Sequence, residues 1–290
     1  MSAMTTDSQM TVSNSKETTH DPELAMERSS RPTFWQHLNT EVDPAQSTGP
    51  LSAFCFMTGF IDAISFSAVF VWCGFQTGNF AQLALALARL WEVAPSGVGH
   101  DSTFHIADRQ AITSLLSFQA GAFFGRVGGP HGTTQARIWL VLATLVQALM
   151  TMAAALVIWK SGQGSIAALR GDPSWTTTLT FVGLAFMSAS LGVQGIVGKR
   201  LNTQFTTTIV LTTVWVELFT DPRLFKIREK VKTRDHKLIA AAALFLGAFV
   251  ARALLATRIG AAGALAVGAG IRVLISLAWI VTPGKPATSK

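Results

Sequence analysis

Asp62 is the only carboxylate within the apolar run Ser52–Cys73. At that depth in a membrane helix an acidic side chain costs about 2.5–3.5 kcal/mol on insertion scales, so it must face protein or water and find a partner. A carboxylate so placed can carry a proton, hold a cation or orient a substrate. The alternative is a structural hydrogen bond to a neighbouring backbone. Gln76-Thr77-Gly78-Asn79 follows the run and interrupts the apolar chain. Gly78 permits backbone angles that other residues avoid, and Thr77 or Asn79 can cap the next helix. That short helix would then present unpaired amides and a positive dipole end inside the bilayer. The alternative here is a tight interhelical turn near the membrane surface. Asp62 lies 15 residues before Thr77, about 22 Å if the helix were continuous. Its polar partner is therefore expected from the second half of the chain.

The second half supplies similar chemistry. Gln204, Thr206 and Thr207 carry an amide and hydroxyls ahead of a second short apolar segment, and Gln194 sits in the long segment before it. Arg272 lies deep in the last apolar run and is a candidate for a buried ion pair. Arg126 and Arg252 close their segments at matching places, and Glu217 ends the second short one. The two arginines either snorkel to headgroups or face a central site, attracting an anion or neutralising Asp62 and Glu217.

These residues need elements to hold them. Of the 290 residues, 49% are hydrophobic and 13% charged, against about 25% charged in a soluble domain. The fold class is an all-α, polytopic membrane helical bundle. Full spans are expected at about 51–73, 110–127, 138–159, 177–198, 238–257 and 260–282, with short helices at about 80–94 and 204–219. Gly121–Arg126 (GAFFGR) matches Gly247–Arg252 (GAFVAR), and Gly59–Ile64 resembles Gly192–Val197 more loosely, with offsets of 126 and 133 residues. This predicts two repeated halves, about 51–160 and 177–282. Six spans with re-entrant short helices would invert the halves; eight spans would keep them parallel. Trp72, Trp91, Trp139, Trp159, Trp175 and Trp279 fall near the ends of apolar blocks, where interfacial belts place tryptophan.

Residues 1–47 read as a disordered cytoplasmic tail, 48–282 as one transmembrane domain and 283–290 as a cytoplasmic C-terminal tail. Seven Lys and Arg lie between Arg223 and Lys237, which reads as a cytoplasmic loop under the positive-inside rule. That loop sits between apolar segments and also carries Asp and Glu, which argues against a nucleic-acid partner. Cys55 and Cys73 stand at opposite ends of one expected helix, too far apart to bridge. His100, Asp101, His105 and Asp108 match no strong metal spacing. No metal site, cofactor fingerprint or catalytic pair emerges, and the chain is not expected to be an enzyme.

Gly59, Asp62 and Ala63, followed by Thr77-Gly78-Asn79, resemble the paired motifs of the YoaK-like family, the domain of unknown function 1275. The resemblance extends over about residues 48–282. It implies a multi-span membrane protein and names no substrate. The functional expectation is a secondary transporter for a small polar or anionic solute, with the lipid bilayer and that solute as partners. The alternative is a non-transporting membrane scaffold or regulator.

Overall fold

The computed structural model describes residues 33–94, 97–126, 135–169, 171–203, 209, 211–226 and 228–285. Eight helices follow a short helical turn at Phe34–Asn39: α1 (Thr48–Val69), α2 (Gln76–Ala88), α3 (Ile106–Gly125), α4 (Arg137–Ser161), α5 (Thr178–Leu201), α6 (Leu211–Phe219), α7 (Lys232–Leu255) and α8 (Gly260–Val281). Among the described residues no strand forms beyond isolated bridges such as Glu41 with Ala136. Five helices, α1, α4, α5, α7 and α8, are long and apolar enough to cross a membrane. The protein is a membrane-embedded helical bundle. At 20 residues α3 is long enough as well, but Asp108, Arg109 and Gln110 in its first turns dilute its apolar character. The short helices α2 and α6 have 13 and 9 residues, about 20 and 14 Å, well under a hydrocarbon core of about 30 Å.

The chain divides into two units, Met1–His37 and Leu38–Lys290. In the first, Thr33 and Gln36 exchange side-chain-to-amide hydrogen bonds of 2.8 and 3.4 Å, a capping box that starts the Phe34 helix. In the second, packing begins earlier than the expected boundary at 48. The amide of Val42 donates to the carbonyl of Gln135 at 3.0 Å, and that of Asp43 to Pro283 at 2.9 Å. Lys285 pairs with Glu41 at 2.7 Å. Residues 38–47 thus belong to the packed unit, and the disorder expected for them is corrected.

Two glycine seams set the closest helix contacts. A Cβ on Gly59 would overlap the carbonyl of Leu244, and one on Gly247 would overlap that of Phe56, so α1 and α7 meet backbone to backbone. Gly121 against Ala189 and Gly192 against Phe118 repeat the arrangement between α3 and α5. Small residues allow such approach in lipid, where dispersion and close packing replace the hydrophobic effect.

Contacts along each pair give the helix directions. In α1 and α7, Thr48 faces His236 and Ser67 faces Arg252, so the two run parallel. In α3 and α5, Gly121 meets Ala189 and Gly125 meets Ile196, again parallel. By contrast α4 and α8 run antiparallel: Arg137 Nε donates to the carbonyl of Trp279 at 3.1 Å, while Arg272 reaches Gln147. Gln194 of α5 reaches Thr58 and Phe54 of α1, and Leu191 lies beside Gly74, beyond the other end of α1. Hence α5 opposes α1. The end carrying Thr48 and Val281 is the terminal end; the other is the far end.

Trp175 and Trp279 are 1% and 0% exposed, against the expectation of interfacial placement. Each indole N–H is satisfied inside the protein, by the carbonyl of Gly164 and the hydroxyl of Thr144, both at 3.1 Å. Trp91 and Trp159 are exposed, consistent with a belt.

Candidate functional site

The apolar run around Asp62 does not stay helical to Cys73. Helix α1 stops at Val69, and Phe70 takes a left-handed conformation at φ 58°. That turn folds residues 71–75 back along the helix, and the Gly74 amide donates to Asp62 Oδ1 at 2.7 Å. The expected partner from the second half is therefore replaced by a backbone amide of the same half. Asp62 is 1% exposed, and its Oδ2 has no hydrogen-bond partner among the described residues. A side chain on Gly74 would press on that oxygen and on Thr58 and Leu191, so glycine is the residue that lets the amide approach.

Neither Thr77 nor Asn79 caps α2, since its N-cap, Phe75, has no side-chain cap bond. Gln76 and Asn79 instead brace the loop before it. Asn79 Nδ2 donates to the Trp72 carbonyl at 2.7 Å and lies 3.1 Å from Ser114 Oγ, while Gln76 Nε2 donates to the Cys73 carbonyl at 2.6 Å. Ser114 of α3 in turn meets Ser188 of α5 at 2.9 Å. The knot joins three helices. Thr77 and Gly78 are exposed on its outer side. Gln204, Thr206 and Thr207 lie outside the described residues.

A second polar cluster lies deeper. Arg272 is fully buried; its Nη1 donates to Gln147 Oε1 and its Nη2 reaches Ser190 Oγ at 3.4 Å. Gln194, four residues after Ser190, donates to Thr58 Oγ1 at 2.8 Å, and Thr58 sits one turn before Asp62. Polar groups thus step from α8 through α5 to α1. No carboxylate lies within ion-pair distance of Arg272 among the described residues.

The remaining candidates do not converge on this core. Arg126 and Arg252 are exposed at opposite ends of the bundle. The carbonyl of Arg126 accepts from Arg200 at 2.7 Å, and Arg252 reaches Ser67 at 3.5 Å. Neither faces Asp62, so the symmetric pair around a central site is corrected. Glu217 pairs with Lys237 at 3.1 Å, tying α6 to α7. Asp108 pairs with Arg89 and caps α3 through the His105 amide. Asp101, in the loop before α3, accepts from the Thr103 amide at 2.9 Å; the Thr103 hydroxyl and amide hold its carboxyl below the usual carboxylate range. The acidic groups of that loop are thus engaged in local structure.

Sequence reasoning missed Gln147, Ser190, Ser114 and Ser188. Gln147 carried a signal, an amide in the middle of an apolar segment. The serines carried none, because small hydroxyl residues are common inside membrane helices. Also missed was a cavity of about 450 Å³ at the terminal end, lined by Pro44, Ala45, Thr48, Asn202, Thr203, Lys232 and His236. A smaller apolar groove of about 190 Å³ lies among α3, α4 and α5, between Phe124, Met150 and Val193.

The fold and the buried polar core define a class: a helical integral membrane protein with ionisable groups sealed inside its bundle. Residues 51–278 match the family described as "Protein of unknown function (DUF1275)", and the chain belongs to that family. No curated protein and no solved structure is detectably similar to it.

Proposed function

We propose that the protein is a secondary transporter for a small polar or anionic solute, built from two inverted halves, with Asp62 as the group that couples a proton or orients the solute. The observation that carries this reading is Asp62 itself: a fully buried carboxylate with one oxygen on the Gly74 amide and the other without a partner. Intramembrane carboxylates are costly, and a purely structural one would satisfy both oxygens.

The inverted halves draw support from the helix directions. Taken in order, α1, α3, α4, α5, α7 and α8 alternate, which corresponds to six crossings with α2 and α6 returning to the side they left. The reciprocal pairs Gly59–Gly247 and Gly192–Gly121 follow the same scheme. Positive residues at the terminal end, including Lys199, Arg200, Lys232 and Lys285, favour cytoplasmic termini. No catalytic step belongs to this reading.

The test is solute flux in vesicles containing the purified full chain, screened across solute classes with and without a proton gradient. Asp62→Asn should keep the fold and lose gradient-driven flux, since the amide keeps size and hydrogen bonding but not the titratable charge. Full gradient-driven flux in that variant would overturn the role of Asp62. A second reading, a non-transporting scaffold, draws on the 223–237 segment. There Arg234 donates to the carbonyls of Arg223, Lys226 and Glu229 at 3.1, 2.7 and 2.8 Å, folding the loop around itself; Lys237 is buried against Glu217, and Arg223, Lys226, Arg228, Lys230 and Lys232 are exposed.

A further inference from the structure

We infer that Arg272 and Gln147 form a buried site for a small monovalent anion, of the size and charge of chloride. The inference rests on the membrane-spanning reading of the bundle and is independent of the role given to Asp62.

Arg272 and Gln147 are both fully buried, on the antiparallel helices α8 and α4. Two of the three guanidinium nitrogens have protein partners, Gln147 Oε1 and Ser190 Oγ. The third, Nε, has none among the described residues, and neither does Gln147 Nε2. The amide orientation of Gln147 is fixed by this contact: its oxygen must face the guanidinium, because Arg can only donate, so its NH₂ is left as a second donor. Ser190 spends its own proton on the Met187 carbonyl at 2.7 Å and accepts from Arg272. The cluster is therefore a full positive charge plus two unmatched N–H donors, with no acidic side chain in reach.

On the other buried residues the unmatched atoms are of the opposite kind. Asp62 Oδ2 and Gln194 Oε1 are acceptors, on α1 and α5. Arg272 lies 9 residues before the end of α8 at Val281, about 14 Å in from the terminal end, and Asp62 lies 14 residues after the start of α1 at Thr48, about 21 Å in. Neither acceptor is hydrogen-bonded to Arg272 or Gln147, so the two clusters do not neutralise one another. A buried cation left uncompensated is strongly unfavourable, and unmatched donors add the desolvation cost of each N–H. An anion held by Nε and Nε2 meets both demands at once. One positive charge balances one negative charge, which selects a monovalent ion. The fully buried surroundings, with Ser190 against Nη2, select a small one.

The experiment compares thermal unfolding of the purified full chain in detergent, in sodium chloride and in sodium gluconate at equal ionic strength, the probe being chloride alone. The expected result is a saturable upward shift of the midpoint with chloride, reproduced by bromide. Gln147→Glu supplies a tethered carboxylate beside Arg272. It should abolish the chloride dependence while unfolding in gluconate as the unmodified protein does in chloride. Asp62→Asn should keep the full chloride shift, so failure here is distinguishable from failure of the transport reading. Equilibrium binding of radioactive chloride to the unmodified protein gives a readout that needs no variant to fold; a saturable signal displaced by bromide is expected. Unfolding indifferent to chloride, absence of saturable binding, or a chloride shift that persists in Gln147→Glu would each overturn the site, leaving internal water as what satisfies the two donors.

Discussion

At the terminal end, His236 of α7 meets Thr48 at 3.3 Å beside a cavity of about 450 Å³, next to Asn202, the left-handed cap of α5. At the far end, Gln110 of α3, 126 residues before His236, donates to the Trp175 carbonyl at 2.6 Å, in a region where Phe70 is the left-handed cap of α1. Under the inverted reading these are the same joint seen from opposite sides of the membrane. Phe70 and Asn202 are the two non-glycine residues with positive φ among those described, which strengthens the correspondence. The joints differ in filling. At the far end the stretch between α4 and α5 folds over, with Ala167 and Ser174 donating to the carbonyls of Ser67 and Ala68 at 2.8 and 2.9 Å, and the Trp175 side chain is buried. At the terminal end a cavity remains. The two ends thus differ in kind: a folded-over stretch and a buried tryptophan close the far end, while a cavity is kept at the terminal end.

The sharpest way to break this comparison is Trp175→Ala. Removing a buried aromatic should cost about 3–5 kcal/mol, read as a lowered unfolding midpoint in detergent. It should also admit a thiol reagent to Cys73, which is buried near the far end, while Cys55 stays protected. Equal protection of both thiols would mean that Trp175 closes nothing.

The glycine seams test whether the halves are equivalent. Gly59→Ala and Gly192→Ala should each destabilise by an amount at or above the top of the about 1–3 kcal/mol typical of overpacking, because the obstacle is backbone carbonyl. The two losses should be similar. Gly270, with nothing within 4 Å of an added Cβ, provides the control: Gly270→Ala should stabilise by about 0.5–1 kcal/mol through helix propensity. One seam tolerating alanine while the other fails would end the equivalence.

Asn79→Ala should cost about 0.5–1.5 kcal/mol by removing one hydrogen bond to the Trp72 carbonyl, which keeps the Ser114 hydroxyl as its second donor. The measurement is again the unfolding midpoint, and a neutral result would show that the loop is held by α1 and α3 alone. The smallest contrast lies in the ion pairs that tie each short helix to the next long one. The Asp108 side chain is 3% exposed and also caps α3, whereas that of Glu217 is 51% exposed. Asp108→Asn should cost about 1–2 kcal/mol, and Glu217→Gln no more than about 0.2–1 kcal/mol, falling further with added salt.

Apolar block length and the lack of charge specified a membrane helical bundle, because a hydrocarbon core admits little else. Helix positions followed, with ends displaced by six residues at Lys232 of α7 and Ala88 of α2. Asp62, Gln194 and Arg272 could be selected as core groups from the sequence, since an ionisable or amide side chain deep in an apolar run must turn inward whatever the fold. Their partners could not. Asp62 was assigned a distant partner on the assumption that its helix ran to Cys73, and the turn at Phe70 cancels that geometry. Left-handed phenylalanine costs local energy that only surrounding packing repays, so no local pattern announces it. Likewise Trp175 and Trp279 carry the composition of interfacial residues, and tertiary contacts with Gly164 and Thr144 bury them instead. Sequence determined which groups must avoid lipid; tertiary structure alone decided which of them meet, because hydrogen bonds between helices depend on angles and depths set by the whole bundle.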